Sequence, residues 1–123
     1  MANEYSILIS SNLNPALNIE KVRKILFEKF FVIGFSDIIE SAAVFGGNGI
    51  YLNAVVILVS AIGPDEMRNF LKETETKLGR IRGPESNGQV AIDLDLVEQN
   101  GQVLRTKDAE QEYYKNCIKT IKI

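Results

Sequence analysis

The sequence predicts an α+β fold: the split βαβ or ferredoxin-like order βαββαβ, with helices on one face of an antiparallel sheet and an added C-terminal helix. Three observations predict it. Strand-length runs rich in β-branched residues alternate with two amphipathic stretches of helical period. The cluster Gly46-Gly47-Asn48-Gly49 joins two of those runs directly, as a hairpin requires. At 123 residues with 46% hydrophobic positions, the chain has enough material for one core, so residues 1–123 are read as a single domain.

Residues 5–9 alternate as a first strand that ends in Ser10-Ser11-Asn12. Asn14 then caps a helix that Pro15 opens without leaving an N–H unpaired, and Ile19, Val22, Leu26 and Phe30 recur along its apolar face. Residues 31–45 hold no strong helix start and read as a second strand, clearest over 37–45. After the glycine cluster, residues 51–59 (YLNAVVILV) form a buried third strand. Gly63-Pro64-Asp65-Glu66 starts the second helix with acidic residues in its first turn, and Gly79 ends it. Residues 80–88, with two arginines, two glycines and a proline, form an exposed loop. Residues 90–97 make a fourth strand with Val90, Ile92, Leu94 and Leu96 on one face. A turn at Asn100-Gly101 precedes Val103-Leu104, and residues 108–121 are expected to form the last helix.

Composition excludes several chemistries. The chain has no histidine, which removes Ser-His-Asp and Cys-His nucleophilic sites, a histidine general base and histidine-ligated zinc. Its one cysteine, Cys117, has no partner for an internal bridge, so a reducing cytoplasmic setting is expected. With 14 Lys+Arg against 16 Asp+Glu, the net charge of −2 argues against nucleic acid as a partner. No apolar run approaches a membrane span and no signal peptide precedes the first strand, so no membrane association is expected.

Four constellations remain. Asp93 and Asp95 project from one strand face, where two like charges are sustained either by a hard cation such as Mg²⁺ or by solvent. Arg80 and Arg82 follow the second helix; their guanidinium forks suit phosphate oxygens or serve the helix's own C-terminal dipole. Tyr51 and Asn53 share a strand face, where an aromatic ring and an amide can stack on and hydrogen-bond a heterocycle or form ordinary cross-strand contacts. Ser11 and Asn12 line the same cleft or cap the helix that follows.

In order along the chain these read S-S-N-L (residues 10–13), Y-L-N-A (51–54), G-R-I-R (79–82) and D-L-D (93–95). That order and spacing resemble the 6-hydroxymethyl-7,8-dihydropterin pyrophosphokinases of folate biosynthesis, across residues 5 to about 104. The resemblance implies a ferredoxin-like fold and pyrophosphoryl transfer from ATP to the pterin hydroxymethyl oxygen. It further implies two Mg²⁺ ions on Asp93 and Asp95, and triphosphate contacts from Arg80 and Arg82. Glu75 and Lys72 would lie on the ATP side, and Tyr51, Asn53 and Asn12 on the pterin side.

The sequence also departs from the family pattern. Ser86, Asn87 and Val90 stand where the family carries arginine, tryptophan and arginine, and Ser10 stands where it has glycine. The connection at residues 46–50 is short, and the family's C-terminal P-H…R-x-F region has no clear counterpart. Arg105, Lys107, Tyr113 and Tyr114 are the candidates to replace its contacts. The alternative reading is therefore a family member that binds a nucleotide or heterocycle without transfer, or a ferredoxin-like regulatory or interaction module.

Overall fold

Alternation along the first strand places apolar side chains on both of its faces, so the sheet must be covered twice. The computed structural model describes residues 2–43 and 49–122. In it β1 (Asn3–Ser11) directs Ile7 and Ile9 into one core and Leu8 into another. Strand β1 lies between β4 (Ile50–Ser60) and β5 (Asp93–Gln99), antiparallel to both. β2 (Phe31–Phe35) and β3 (Ile39–Ala42) pair with successive stretches of β4, and β6 (Gln102–Val103) pairs with β5. The described residues form one six-stranded antiparallel sheet in the order β2-β4-β1-β5-β6, with β3 beside β4.

The larger core lies under α1 (Pro15–Lys29) and α2 (Pro64–Lys77), whose Ile19, Val22, Leu26, Met67 and Leu71 pack on Ile9, Val56 and Leu94. Full burial of each such side chain contributes roughly 1.5–3 kcal/mol. The two helices of the βαββαβ order thus share one face of the sheet, as expected, and the C-terminal helical segment is added to it. Two further helices follow β6, α3 (Thr106–Ala109) and α4 (Glu112–Lys119), and α4 packs Tyr114 and Cys117 on Leu8, Val55 and Val97, the opposite face. That second apolar stripe is the physical reason: uncovered, it would face water. A Tyr114 hydroxyl shared with Ser6 Oγ (2.6 Å) and donated to Glu98 Oε2 (2.5 Å) holds α4 down.

Three boundaries differ from the sequence reading. The single second strand is two, because Ser36 turns inward between β2 and β3: its Oγ accepts the Val55 N–H (2.8 Å) and its carbonyl accepts Arg23 (2.6 Å). Residues 44–48, with most of the glycine cluster, lie outside the described residues. The fourth strand begins at Asp93 rather than residue 90, since the Val90 carbonyl accepts the Asn12 N–H (3.0 Å) and takes that stretch out of the sheet ladder. The final helix is broken at Glu110-Gln111 into α3 and α4. Asn14 does sit at the start of α1, but in a left-handed conformation (φ 44°) with no side-chain cap; its carbonyl accepts the Asn18 N–H instead. No helix among the described residues is long and apolar enough to cross a membrane.

Candidate active site

Strand alternation determines which side chains reach the cleft. Leu94 and Leu96 point into the helix-covered core, so Asp93 and Asp95 point the other way, as do Tyr51 and Asn53 on β4 and Ser10 on β1. Beside α4 these residues border a cleft of about 330 Å³. Arg80 and Arg82, from the segment after α2, line it as well, together with residues of the loop that holds Ser86, Gly88 and Val90. Asp108 of α3 and Tyr113 of α4 complete it.

The acidic side of the cleft is crowded. Asp95 is almost buried, and its carboxyl is pushed up to about 7, first by burial, then by the charges of Asp93 and Asp108, with Arg105 opposing. Arg105 Nε lies 3.6 Å from Asp95 Oδ1 and hydrogen-bonds to Asp108 Oδ2. The Tyr113 phenol is pushed up to about 12 by burial and by Asp108, Asp95 and Asp93, so it remains a neutral ring and donor at physiological pH. Burial first and then Asp93 raise Tyr51, against the pull of Arg80.

The arginines are held from beneath by Glu75. This carboxylate is 1% exposed and accepts the Leu94 N–H at 2.7 Å through Oε2. Arg82 hydrogen-bonds to its Oε1, Arg80 Nη1 lies 3.8 Å from the same oxygen, and Lys72 Nζ is 3.2 Å from Oε2. Arg80 also donates to the Ile92 carbonyl (2.9 Å) and to Asp93 Oδ1 (3.3 Å), which ties the basic and acidic parts together. Its buried Nε has no hydrogen-bond partner among the described residues.

The structure thus brings Asp93, Asp95, Arg80, Arg82, Tyr51 and Asn53 to one cleft. Glu75 stands behind it and supports the arginines, and Lys72 ion-pairs with Glu75. The Asn53 amide is already engaged: Oδ1 accepts from Ser10 Oγ (2.7 Å), while Nδ2 donates to the Ile39 carbonyl and Ser41 Oγ (2.9 Å each). Asn12 clasps the loop instead of lining the cleft, with Nδ2 on the Gly88 carbonyl (3.0 Å) and Oδ1 on the Val90 N–H (2.5 Å). Of the four C-terminal candidates, Tyr113 lines the cleft, Arg105 borders its acids, Tyr114 is buried under α4, and the Lys107 carbonyl accepts from Gln111 (3.1 Å). Asp108 was missed by the sequence reading; its only signal is the i, i+3 spacing from Arg105.

The donor set suits a hard divalent cation, because carboxylates that repel each other in a nearly buried position gain most from one. Among the described residues no three His, Cys, Asp or Glu side chains converge as a ready metal cage. Mg²⁺ characteristically takes one or two carboxylates and completes its shell with water and phosphate oxygens.

Fold and cleft together define the class: ferredoxin-like α+β domains in which carboxylates and guanidinium groups meet in one cleft. Residues 6–122 match the family model of 7,8-dihydro-6-hydroxymethylpterin-pyrophosphokinase. The chain belongs to that family, whose members are transferases of folate biosynthesis that use ATP and Mg²⁺ and act on a pterin.

Proposed function

We propose that this chain transfers the β,γ-pyrophosphoryl group of ATP to the hydroxymethyl oxygen of 6-hydroxymethyl-7,8-dihydropterin. The observation that carries this reading is the meeting, in one cleft, of Asp93 and Asp95 with Arg80 and Arg82. In the reaction the hydroxymethyl oxygen bonds to the β-phosphorus, the bond from that phosphorus to the α,β-bridging oxygen breaks, and AMP leaves. The hydroxyl proton passes to solvent.

Asp93 and Asp95 would hold two Mg²⁺ ions, which when bound neutralise phosphate charge and align the triphosphate. Arg80, 15% exposed and fixed by Ile92 and Asp93, offers a preorganised cation to the polyphosphate. Arg82, 58% exposed, is tethered to Glu75 and free to reach outward. Positioning and charge neutralisation dominate such transfers, so the absence of histidine is no obstacle. Tyr51 and Tyr113, which line the same cleft, offer aromatic rings to the pterin. The cytoplasm, where folate precursors and ATP meet, is the proposed location.

Calorimetry with Mg²⁺ and an ATP analogue bearing a methylene between the α- and β-phosphorus, on wild type and Asp95→Ala, tests the binding step. Mg²⁺-dependent heat that the substitution abolishes is expected; no heat from wild type, or equal heat from both, discards the reading. Release of AMP in the presence of the pterin tests transfer. Nucleotide binding without AMP release would leave a binding protein, the reading favoured by the uncharged Ser86, Asn87 and Val90 in the loop beside the cleft.

A further inference from the structure

The polyphosphate reading leaves one feature unused, and the inference drawn from it rests on that reading. The loop beside the cleft, from residue 86 to 90, carries no cation. Yet a third arginine stands at the acidic end. Arg105 Nε lies 3.6 Å from Asp95 Oδ1 and hydrogen-bonds to Asp108 Oδ2, and both carboxylates line the cleft.

The three partners differ sharply in exposure. The side chains of Asp95 and Asp108 are 9% and 4% exposed, whereas that of Arg105 is 52% exposed. A buried carboxylate is costly without a countercharge, and Arg105 makes the only ion pair of Asp108 among the described residues. Asp95 shares the same guanidinium, at longer range. The backbone beneath is fixed, because the Val97 carbonyl accepts both the Leu104 N–H (2.7 Å) and the Arg105 N–H (3.3 Å). Only the Arg105 side chain needs to move.

We propose that Arg105 is a polyphosphate-binding residue of this chain, held as the countercharge of Asp95 in the metal-free protein and tethered by Asp108 throughout. A divalent cation on Asp95 removes the attraction that draws Arg105 there and adds a like charge beside it. The phosphates that arrive with the cation supply the new partner, and a guanidinium matches two phosphate oxygens at once. Asp108 keeps the side chain from leaving the site, so the motion is a swing about that contact. Arg105 thereby adds a cation beside Asp95 and Asp108 to a cleft whose loop from residue 86 to 90 supplies none.

Two titrations on the same variant test this, because they are expected to move in opposite directions. In Arg105→Gln, Mg²⁺ alone binds about threefold more tightly, since a half-exposed competing charge is gone. The Mg²⁺ complex of the methylene-bridged ATP analogue binds about tenfold more weakly, the loss of a charge-assisted contact. Arg105→Lys restores the charge without the fork, so Mg²⁺ affinity returns to the wild-type value and nucleotide affinity recovers only in part. A variant in which both affinities stay unchanged, or move together, overturns the assignment while the polyphosphate reading stands. A wild-type protein that binds neither Mg²⁺ nor the analogue overturns both.

Discussion

Glu75→Gln tests whether the arginines are organised from beneath. The substitution is isosteric, so it opens no cavity, and the side chain is 1% exposed, so water does not compensate. The carboxylate offers two acceptor oxygens, one to the Leu94 N–H at 2.7 Å and one to Arg82 and Arg80. An amide offers one. If its oxygen faces Leu94, its NH₂ faces the guanidinium groups; if it flips, the NH₂ meets the Leu94 N–H. Either way a buried donor is orphaned, at about 1–3 kcal/mol. Lost attraction to Arg82 and Lys72, both more than half exposed, adds at most about 1 kcal/mol. The sum is about 1–4 kcal/mol. With a urea slope of about 1.5 kcal/mol/M for a chain of this size, the denaturation midpoint falls by about 0.7–2.7 M at unchanged slope. A midpoint shift under about 0.5 M would mean that Glu75 is not the anchor described.

Two further outcomes follow from the same geometry. The Asp95 carboxyl is raised to about 7 in the fold from 3.8. The folded state then binds the proton more tightly than the unfolded one, so this group's stabilisation is full below about pH 4 and is lost as pH rises through about 7. In metal-free protein the stability of wild type relative to Asp95→Asn therefore declines from pH 4 to 7, by urea denaturation at each pH, and a flat or rising difference would contradict it. Asn53→Ala removes an amide that ties β1, β3 and β4 together, at a cost of about 2–3 kcal/mol, read as a lower thermal midpoint. A loss below about 1 kcal/mol would show that those contacts are replaced by water.

The framework was legible because local pattern and global order agreed. Helical period around Ile19, Val22 and Leu26 and strand period around Leu94 and Leu96 both identify the face that the larger core requires. The D-L-D alternation likewise puts Asp93 and Asp95 on the sheet face opposite Leu94. What stayed hidden depends on contacts between distant segments. Asn12 reaches the Val90 N–H across 78 residues, which delays the start of β5. Ser36 breaks the second strand because Val55 and Arg23 are there to bond it, and nothing in the local run F-S-D announces that. The face chosen by α4 could not be read from its own amphipathicity, since a helical period says that one side is buried but not against what.

The same separation explains the site. The residues for which the family resemblance implies ligand contacts divide into those that line the cleft and those that hold the liners. Asn53 does both, its amide committed to Ser10, Ile39 and Ser41 while its position borders the cavity. Glu75, the most buried charged residue here, ion-pairs with Arg80 and Arg82, which line the cleft. The Arg80 guanidinium is held in place by the Ile92 carbonyl and Asp93, whereas the crowded carboxylates of Asp93, Asp95 and Asp108 resist being left without a cation. Stability and binding therefore pull in opposite senses at the two ends of the cleft. On the proposed reading Arg80 is in place before ligand arrives, and the acidic end carries an excess of negative charge that Arg105 covers only in part. Binding energy for metal and nucleotide then comes from relieving that excess.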